Sequence, residues 1–399
     1  MQNRDHLFGI TLTQNLTPIK NGLIDIPMLQ LLSEDGVLHS TGADFALTQD
    51  TAQKIYDTMQ FVRVLDERMV SAQRQGRISF YLACTGEEAA TVASAAALDD
   101  QDMIMSQYRE QGALAYRGFS IRQFMDQLFS NELEANKGRQ MPIHYGSKPL
   151  NFMTISSPLG TQIPQAAGYA FGQKMAGQPA ITLCYFGEGA ASEGDFHAGL
   201  NMASVLKCPV IFLCRNNGYA ISTPTQEQFA GDGIASRGIG YGVKTLRVDG
   251  NDALAMYAAT SKAREIALAE QCPVLIEAMT YRLAAHSTSD DPSGYRSKEE
   301  EQLWQTKDPL KRFGNWLQSQ GWLDPNQQKS RVESLRQQVL AELKEAEKIP
   351  ICGIEQLIED VYDQPPWHLK EQLAQLQKHI KAYPEHYPRT SWRLVDDQG

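Results

Sequence analysis

The period of the hydrophobic positions changes along the chain, and that change divides it. Across residues 51–74, apolar side chains return every three or four positions, at Ile55, Met59, Val62, Leu65 and Met69. That spacing predicts an amphipathic helix. Short apolar runs follow at 181–186, 209–214 and 273–278, with strand-like segments at 102–106 and 243–248, separated by helix-patterned stretches such as 165–175 and 253–269. Such runs read as buried parallel strands joined by crossover helices. The fold class predicted is α/β, a parallel sheet flanked by helices. Residues 1–50 carry scattered turn formers (Pro18, Pro27, Gly36) and read as an irregular N-terminal arm. Residues 51–310 make the sheet domain. Residues 311–399 read as a helical C-terminal region, with Val332, Leu335, Val339 and Leu343 forming one stripe on a charged helix.

Capping chemistry predicts two helix starts. Thr85 stands as N-cap with Glu88 as its capping-box partner, opening an alanine-rich helix; Ser192 and Asp195 have the same spacing for a helix beginning at Glu193. The second start sets the backbone N–H groups of Gly189, Ala190 and Ala191 at a helix mouth, which favours phosphate oxygens. Two short motifs flank that helix. Gly187-Glu188-Gly189 ends one predicted strand and Asn216-Asn217-Gly218 ends the next. A βαβ unit brings both to the same sheet edge, where α/β folds bind ligands. Magnesium takes near-octahedral oxygen ligands and keeps phosphates and water among them, so the side chains of Glu188 and Asn217 suffice from the protein. A strand-end glycine turn with solvated side chains explains either motif alone. The pair together points to a metal–diphosphate clamp.

Composition narrows the partners. The 399 residues carry a formal net charge of −10, which argues against a nucleic acid or an anionic membrane as main partner. An anionic ligand therefore needs a local cluster of basic residues or a metal. Six cysteines show no C-x-x-C spacing, and Cys184 and Cys214 fall inside apolar runs. They read as free thiols in a reducing compartment. No apolar run approaches the roughly 18 residues of a membrane span. The start, Met-Gln-Asn-Arg-Asp-His, has neither a signal-peptide core nor the Arg-rich, acid-poor character of a transit peptide, so a cytoplasmic location is expected.

Three further loops carry chemistry. Gln107-Tyr108-Arg109-Glu110 follows a predicted strand directly. Residues 138–165 lack periodicity, as a functional loop does. The segment 281–296 surrounds His286 with Ser287, Ser289, Asp290, Asp291, Tyr295 and Arg296. Imidazole titrates near working pH and can donate or accept a proton. The other seven histidines have local readings, including His144 in the long loop.

Gly-Asp-Gly followed by Asn-Asn is the thiamin diphosphate signature, and this chain matches it with Glu188 in place of Asp. With the loops 107–109, 155–162, 187–223 and 279–297, the chain from about residue 50 onward resembles the α subunits of the E1 component of branched-chain 2-oxo acid dehydrogenases. Its Ser-Ser-Pro-Leu and His-Ser-Thr-Ser-Asp-Asp segments look more like these than like pyruvate dehydrogenase E1 α. The resemblance implies a thiamin-diphosphate-binding fold and oxidative decarboxylation of acids such as 3-methyl-2-oxobutanoate, with acyl transfer to the lipoyl group of an E2 acyltransferase. It implies catalytic roles for His286, Ser157 and Tyr108. Cofactor contacts would come from Gln107, Tyr108, Arg109, Ser157, Leu159, Glu188, Gly189, Ala190, Arg215, Asn217 and His286. Mg²⁺ would sit on Glu188, Asn217 and the backbone carbonyl of Tyr219, and K⁺ on Ser156, Pro158, Thr161 and Gln162. Ser287 and Ser297 match positions phosphorylated in relatives. The cofactor also needs a second, ring-activating domain, for which this chain has no further α/β unit; an E1 β partner in an α2β2 heterotetramer is expected to supply it. Pyruvate or acetoin as substrate, or a non-catalytic phosphate- and metal-binding regulator, are the competing expectations.

Overall fold

Strands buried on both faces need apolar side chains in both directions; four of the predicted runs become such strands, and the fifth, at 244–249, becomes a strand that stays partly exposed. A computed structural model describes residues 26–39 and 47–387, together with a short antiparallel pairing of 6–7 with 10–11. Its sheet contains β1 (Met28–Leu29), β2 (Met103–Met105), β3 (Thr182–Gly187), β4 (Val210–Asn216), β5 (Lys244–Asp249) and β6 (Val274–Met279). The order across the sheet is β1-β5-β6-β4-β3-β2, and all six strands are parallel. Successive residues serve opposite layers. Leu183, Tyr185, Ile211 and Leu213 join one core, whereas Cys184, Phe186, Phe212 and Cys214 join the other.

The helices are α1 (Gln49–Arg74), α2 (Glu88–Ala96), α3 (Gln111–Tyr116), α4 (Ile121–Phe129), α5 (Gln162–Met175), α6 (Gly194–Leu206) and α7 (Ala253–Glu270). Helices α1, α2, α3 and α7 build the first core; α5 and α6 build the second. The result is an α/β/α stack. The stripe predicted for α1 is buried throughout. Alanine-rich α2 packs against α1, α3 and α7, where small side chains let helices approach. After the sheet come α8 (Lys298–Thr306), which its charged sequence did not announce, α9 (Pro309–Ser319), α10 (Pro325–Ala346) and α11 (Trp367–Ala382). In α10, Val339 and Leu343 are fully buried, while Val332 and Leu335 are only partly covered. All six cysteines are free thiols.

Two expectations about helix starts fail, the first because stronger partners take the capping groups and the second because a tighter turn comes first. Thr85 does not cap α2. Its hydroxyl donates to buried Asp66 on α1 (3.1 Å), and the Glu88 carboxylate goes to Arg63 (2.5 Å) and to the Gly86 N–H (2.8 Å). Helix α6 starts at Gly194 with no side-chain cap, because residues 190–192 turn into a 3₁₀ segment first. The expected arm also differs: Met28–Leu29 extends the sheet beside β5. Two residues after a proline carry no strand pattern of their own, so tertiary pairing makes this strand. Asp252 pins the chain beyond it by accepting from the N–H groups of Leu31 (2.7 Å) and Leu32 (2.6 Å). Residues 1–5, 8–9, 12–25 and 40–46 of the arm lie outside the described residues.

Register sets the site. Gly187 pairs with Arg215 and Asn216 with Met279, so β3, β4 and β6 end at one level. The chain leaves that edge at Glu188, Asn217 and Thr280.

Candidate functional site at the carboxyl edge of the sheet

A cavity of about 430 Å³ opens at this edge, and loops from five parts of the chain wall it. Gln107, Tyr108, Arg109, Ser157, Leu159, Glu188, Gly189, Ala190, Arg215, Asn217, Tyr219 and His286 all line it. The K⁺ group expected from sequence stands beside it. There the Thr161 hydroxyl donates to the Pro158 carbonyl (2.9 Å), and the Gln162 side-chain NH₂ donates to the Tyr185 carbonyl (3.1 Å).

Glu188 is buried. One carboxylate oxygen accepts from the Asn217 N–H (3.3 Å); the other, Oε1, has no hydrogen-bond partner. Burial pushes this carboxyl up to about 7. A buried acceptor without a donor is costly unless something else binds it. An oxygen atom of this kind, beside the Asn217 amide, fits a hard cation. Gly189 lets the wall close. A Cβ there would lie 2.6 Å from that of Ala220, in the two-residue strand pair Tyr219–Ala220 and Thr223–Pro224. Gly218 has a φ of +87°, the left-handed region that glycine takes without strain.

The 107–110 loop is held by one carboxylate. Glu110 accepts from the Ser106 hydroxyl (2.7 Å) and from the N–H groups of Gln107 (3.0 Å) and Tyr108 (2.9 Å). Gln107 in turn accepts from the Gly187 N–H (2.7 Å), tying this loop to β3.

Arg215 departs from expectation. Its guanidinium pairs with Glu110 (2.6 Å) and with Glu87 on the loop before α2, and all three side chains are buried. These two carboxylates, partners that the sequence did not announce, hold it in the wall of the cavity that it lines. Glu87 also accepts from the side-chain amide of Asn217 (2.7 Å). Burial pushes the Glu87 carboxyl up, but Arg215, Arg109 and that amide outweigh it, so it sits below its ordinary range.

His286 is gripped from one side. Arg109 (3.2 Å) and Arg282 (3.3 Å) both donate to its Nδ1, Arg109 also donates to its carbonyl, and Asp290 accepts from its N–H (2.7 Å). Accepting at Nδ1 makes Nε2 the nitrogen that carries the proton. Burial, then Arg109 and Arg282, lower the imidazole to about 4. The ring is a neutral donor at neutral pH. Tyr108 meets it edge-on, 6.4 Å between centroids, and Arg109 lies over the Tyr108 ring.

Three site residues escaped the sequence reading. Glu87 was hidden beside Glu88, with no local signal of its partners. Arg282 fell in the His286 loop but had no distinguishing context. His144 was assigned a local role; it is buried, lines the cavity, and accepts from the Ser157 hydroxyl at Nε2 (2.8 Å), with Nδ1 facing the Pro142 carbonyl (3.2 Å). Leu159, expected from the sequence, joins an apolar wall whose other members, Phe80, Leu82, Met141, Ile143 and Ile221, were unreadable because they are spread along the chain.

Residues 56–355 match the family model for the dehydrogenase E1 component. The chain is 49% identical over 369 residues to the mitochondrial 2-oxoisovalerate dehydrogenase subunit alpha of Homo sapiens, covering 92% of this chain and 83% of that protein. The corresponding subunit of Dictyostelium discoideum is 48% identical over 389 residues (97% and 88%), and subunit alpha 1 of Arabidopsis thaliana 48% over 364 (91% and 77%). All three relatives are mitochondrial by name. That overturns the cytoplasmic location expected from the first residues: composition at one end of a chain is weaker than kinship along nearly all of it.

Proposed function

The chain belongs to the dehydrogenase E1 component family, and from that premise we propose that it is the α subunit of a 2-oxoisovalerate dehydrogenase. It acts with an E1 β chain in an α2β2 assembly and passes the acyl group to a lipoylated E2. Thiamin diphosphate, the family's cofactor, supplies the electron sink that lets a 2-oxo acid lose CO₂. The observation that carries the reading is the buried, unpartnered Glu188 Oε1 beside Asn217 at the strand-end edge. Glu188, the Asn217 side chain and the Tyr219 carbonyl would hold Mg²⁺, which would supply positive charge for the diphosphate. Arg109 contributes positive charge and fixes His286. Arg215 acts indirectly, by setting Glu87 and Glu110. Gln107, Gly189 and Ala190 would bring backbone and amide groups to the cofactor, and Ser156, Pro158, Thr161 and Gln162 would hold a K⁺ that steadies their loop.

His286 keeps its proton on Nε2 and hydrogen-bonds the lipoyl sulfur on which negative charge develops as the disulfide opens. A neutral imidazole donor suits this work, since it needs no protonation at working pH. Ser157, held by His144, and Tyr108 position the 2-oxo acid. The apolar wall supports a branched side chain: Phe80, Met141 and Leu159 offer surface that pyruvate would leave uncovered. With the β chain present, kcat/KM for 3-methyl-2-oxobutanoate is expected to exceed that for pyruvate by more than about tenfold, since each methylene in an apolar pocket contributes about 1–3 kcal/mol. Equal rates on both acids refute the branched-chain assignment.

A further inference from the structure

Resting on the placement of the cation at Glu188 and Asn217, we infer that Glu87 is the positioning residue that decides which end of the Asn217 amide faces the metal. The two ends of an asparagine amide are nearly the same size, so only hydrogen-bond partners fix which is which. Glu87 is fully buried, and its second carboxylate oxygen is paired with the Arg215 guanidinium. A carboxylate only accepts. Its contact with Asn217, at 2.7 Å, therefore holds Nδ2 on the Glu87 side and leaves Oδ1 as the free end, the only one a cation can use. Oδ1 is steadied there by the Tyr219 N–H at 3.2 Å. Arg215 does not by itself account for Glu87, because Glu110 already takes its Nε and Nη2.

Replacing the carboxylate by an amide inverts this arrangement. In Glu87→Gln, the single acceptor oxygen goes to Arg215, since a charge-assisted hydrogen bond is roughly twice as strong as a neutral one. The new NH₂ group then faces Asn217, which turns its oxygen towards residue 87 and its NH₂ towards the metal. Adding Asn217→Asp restores the logic with the same net charge: the introduced carboxylate accepts from the introduced amide and offers its second oxygen to the cation.

The test uses the apo α2β2 assembly, with Mn²⁺ as probe, thiamin diphosphate in excess, and free Mn²⁺ measured by electron paramagnetic resonance. E87Q is expected to weaken Mn²⁺ binding by about 10–100-fold, the usual effect of losing a partner that orients a metal ligand. The E87Q/N217D assembly is expected to recover most of that loss, which a merely structural defect would not do. E87D keeps a charge for Arg215 but stops one methylene short of the amide, and is expected to fall between wild type and E87Q. Unchanged affinity in E87Q, or a double variant no tighter than E87Q, overturns the inference. If E87Q fails to assemble, undiminished affinity in E87D overturns it instead. A wild-type assembly that takes up no Mn²⁺ with thiamin diphosphate overturns the functional reading as well, so the two failures are told apart.

Discussion

At the residue scale, the site is a set of charges that burial has forced into fixed states. His286 is the clearest case. The unfolded chain takes up a proton near pH 6.5, whereas the folded imidazole resists until about 4, because burial, Arg109 and Arg282 oppose the charge. Between those values the unfolded state binds more protons, so His286 makes folding less favourable as pH falls from about 6.5 to 4. His286→Gln removes this contribution. Urea denaturation at several pH values should show wild type losing stability relative to the variant across that window, with the difference constant above it. Glu188→Ala should reduce Mn²⁺–thiamin diphosphate affinity more than about a hundredfold, beyond the range for outer-shell changes. Equilibrium dialysis would show it, and a loss under tenfold would remove Glu188 from the metal shell. Glu188, Asn217, Arg109 and His286 were legible because each closes a motif or follows a strand. Glu87 and His144 were not, since what they do depends on partners far along the chain.

At the level of elements, strands and crossovers were readable and their joints were not. Apolar runs mark β2, β3, β4 and β6 because residues buried on both faces leave little other composition. The starts of α2 and α6 went astray because Asp66, Arg63 and a 3₁₀ turn outcompeted local caps. Asp252 shows how one residue can serve two elements. It caps α7 through the N–H groups of Leu254 and Ala255 and pins Leu31 and Leu32 behind β1. Asp252→Ala should destabilise the protein by about 3 kcal/mol, about 1 from the cap and the rest from orphaned buried N–H groups; chemical denaturation measures it. Gly189→Ala drives a methyl into Ala220, and overpacking of this kind costs about 1–3 kcal/mol. The displaced 219–224 hairpin should also lower cofactor affinity, which calorimetric titration would detect.

For the whole molecule, an acidic chain concentrates three buried arginines (109, 215 and 282) around one cavity. Net charge thus says little about local potential; the anion-binding region is set by where loops converge. One sheet with its two helix layers supplies one wall for a cofactor whose ring needs a second. The isolated chain should therefore bind thiamin diphosphate weakly and decarboxylate 2-oxo acids negligibly, and adding the E1 β chain should restore both. Titration calorimetry with a CO₂-release assay tests this, and full activity from the isolated chain would contradict it.

Local sequence determined the α/β class, five of the six sheet strands and the two strand-end motifs, because apolar period and glycine placement are properties of neighbours in the chain. It could not determine the edge strand at Met28, the pairing of Arg215 with Glu87 and Glu110, the bond between His144 and Ser157, or the tautomer of His286. Each of those is a competition among groups that meet only after the sheet has formed. Tertiary structure decides it, because buried donors and acceptors take the strongest partner within reach, whatever its distance in sequence.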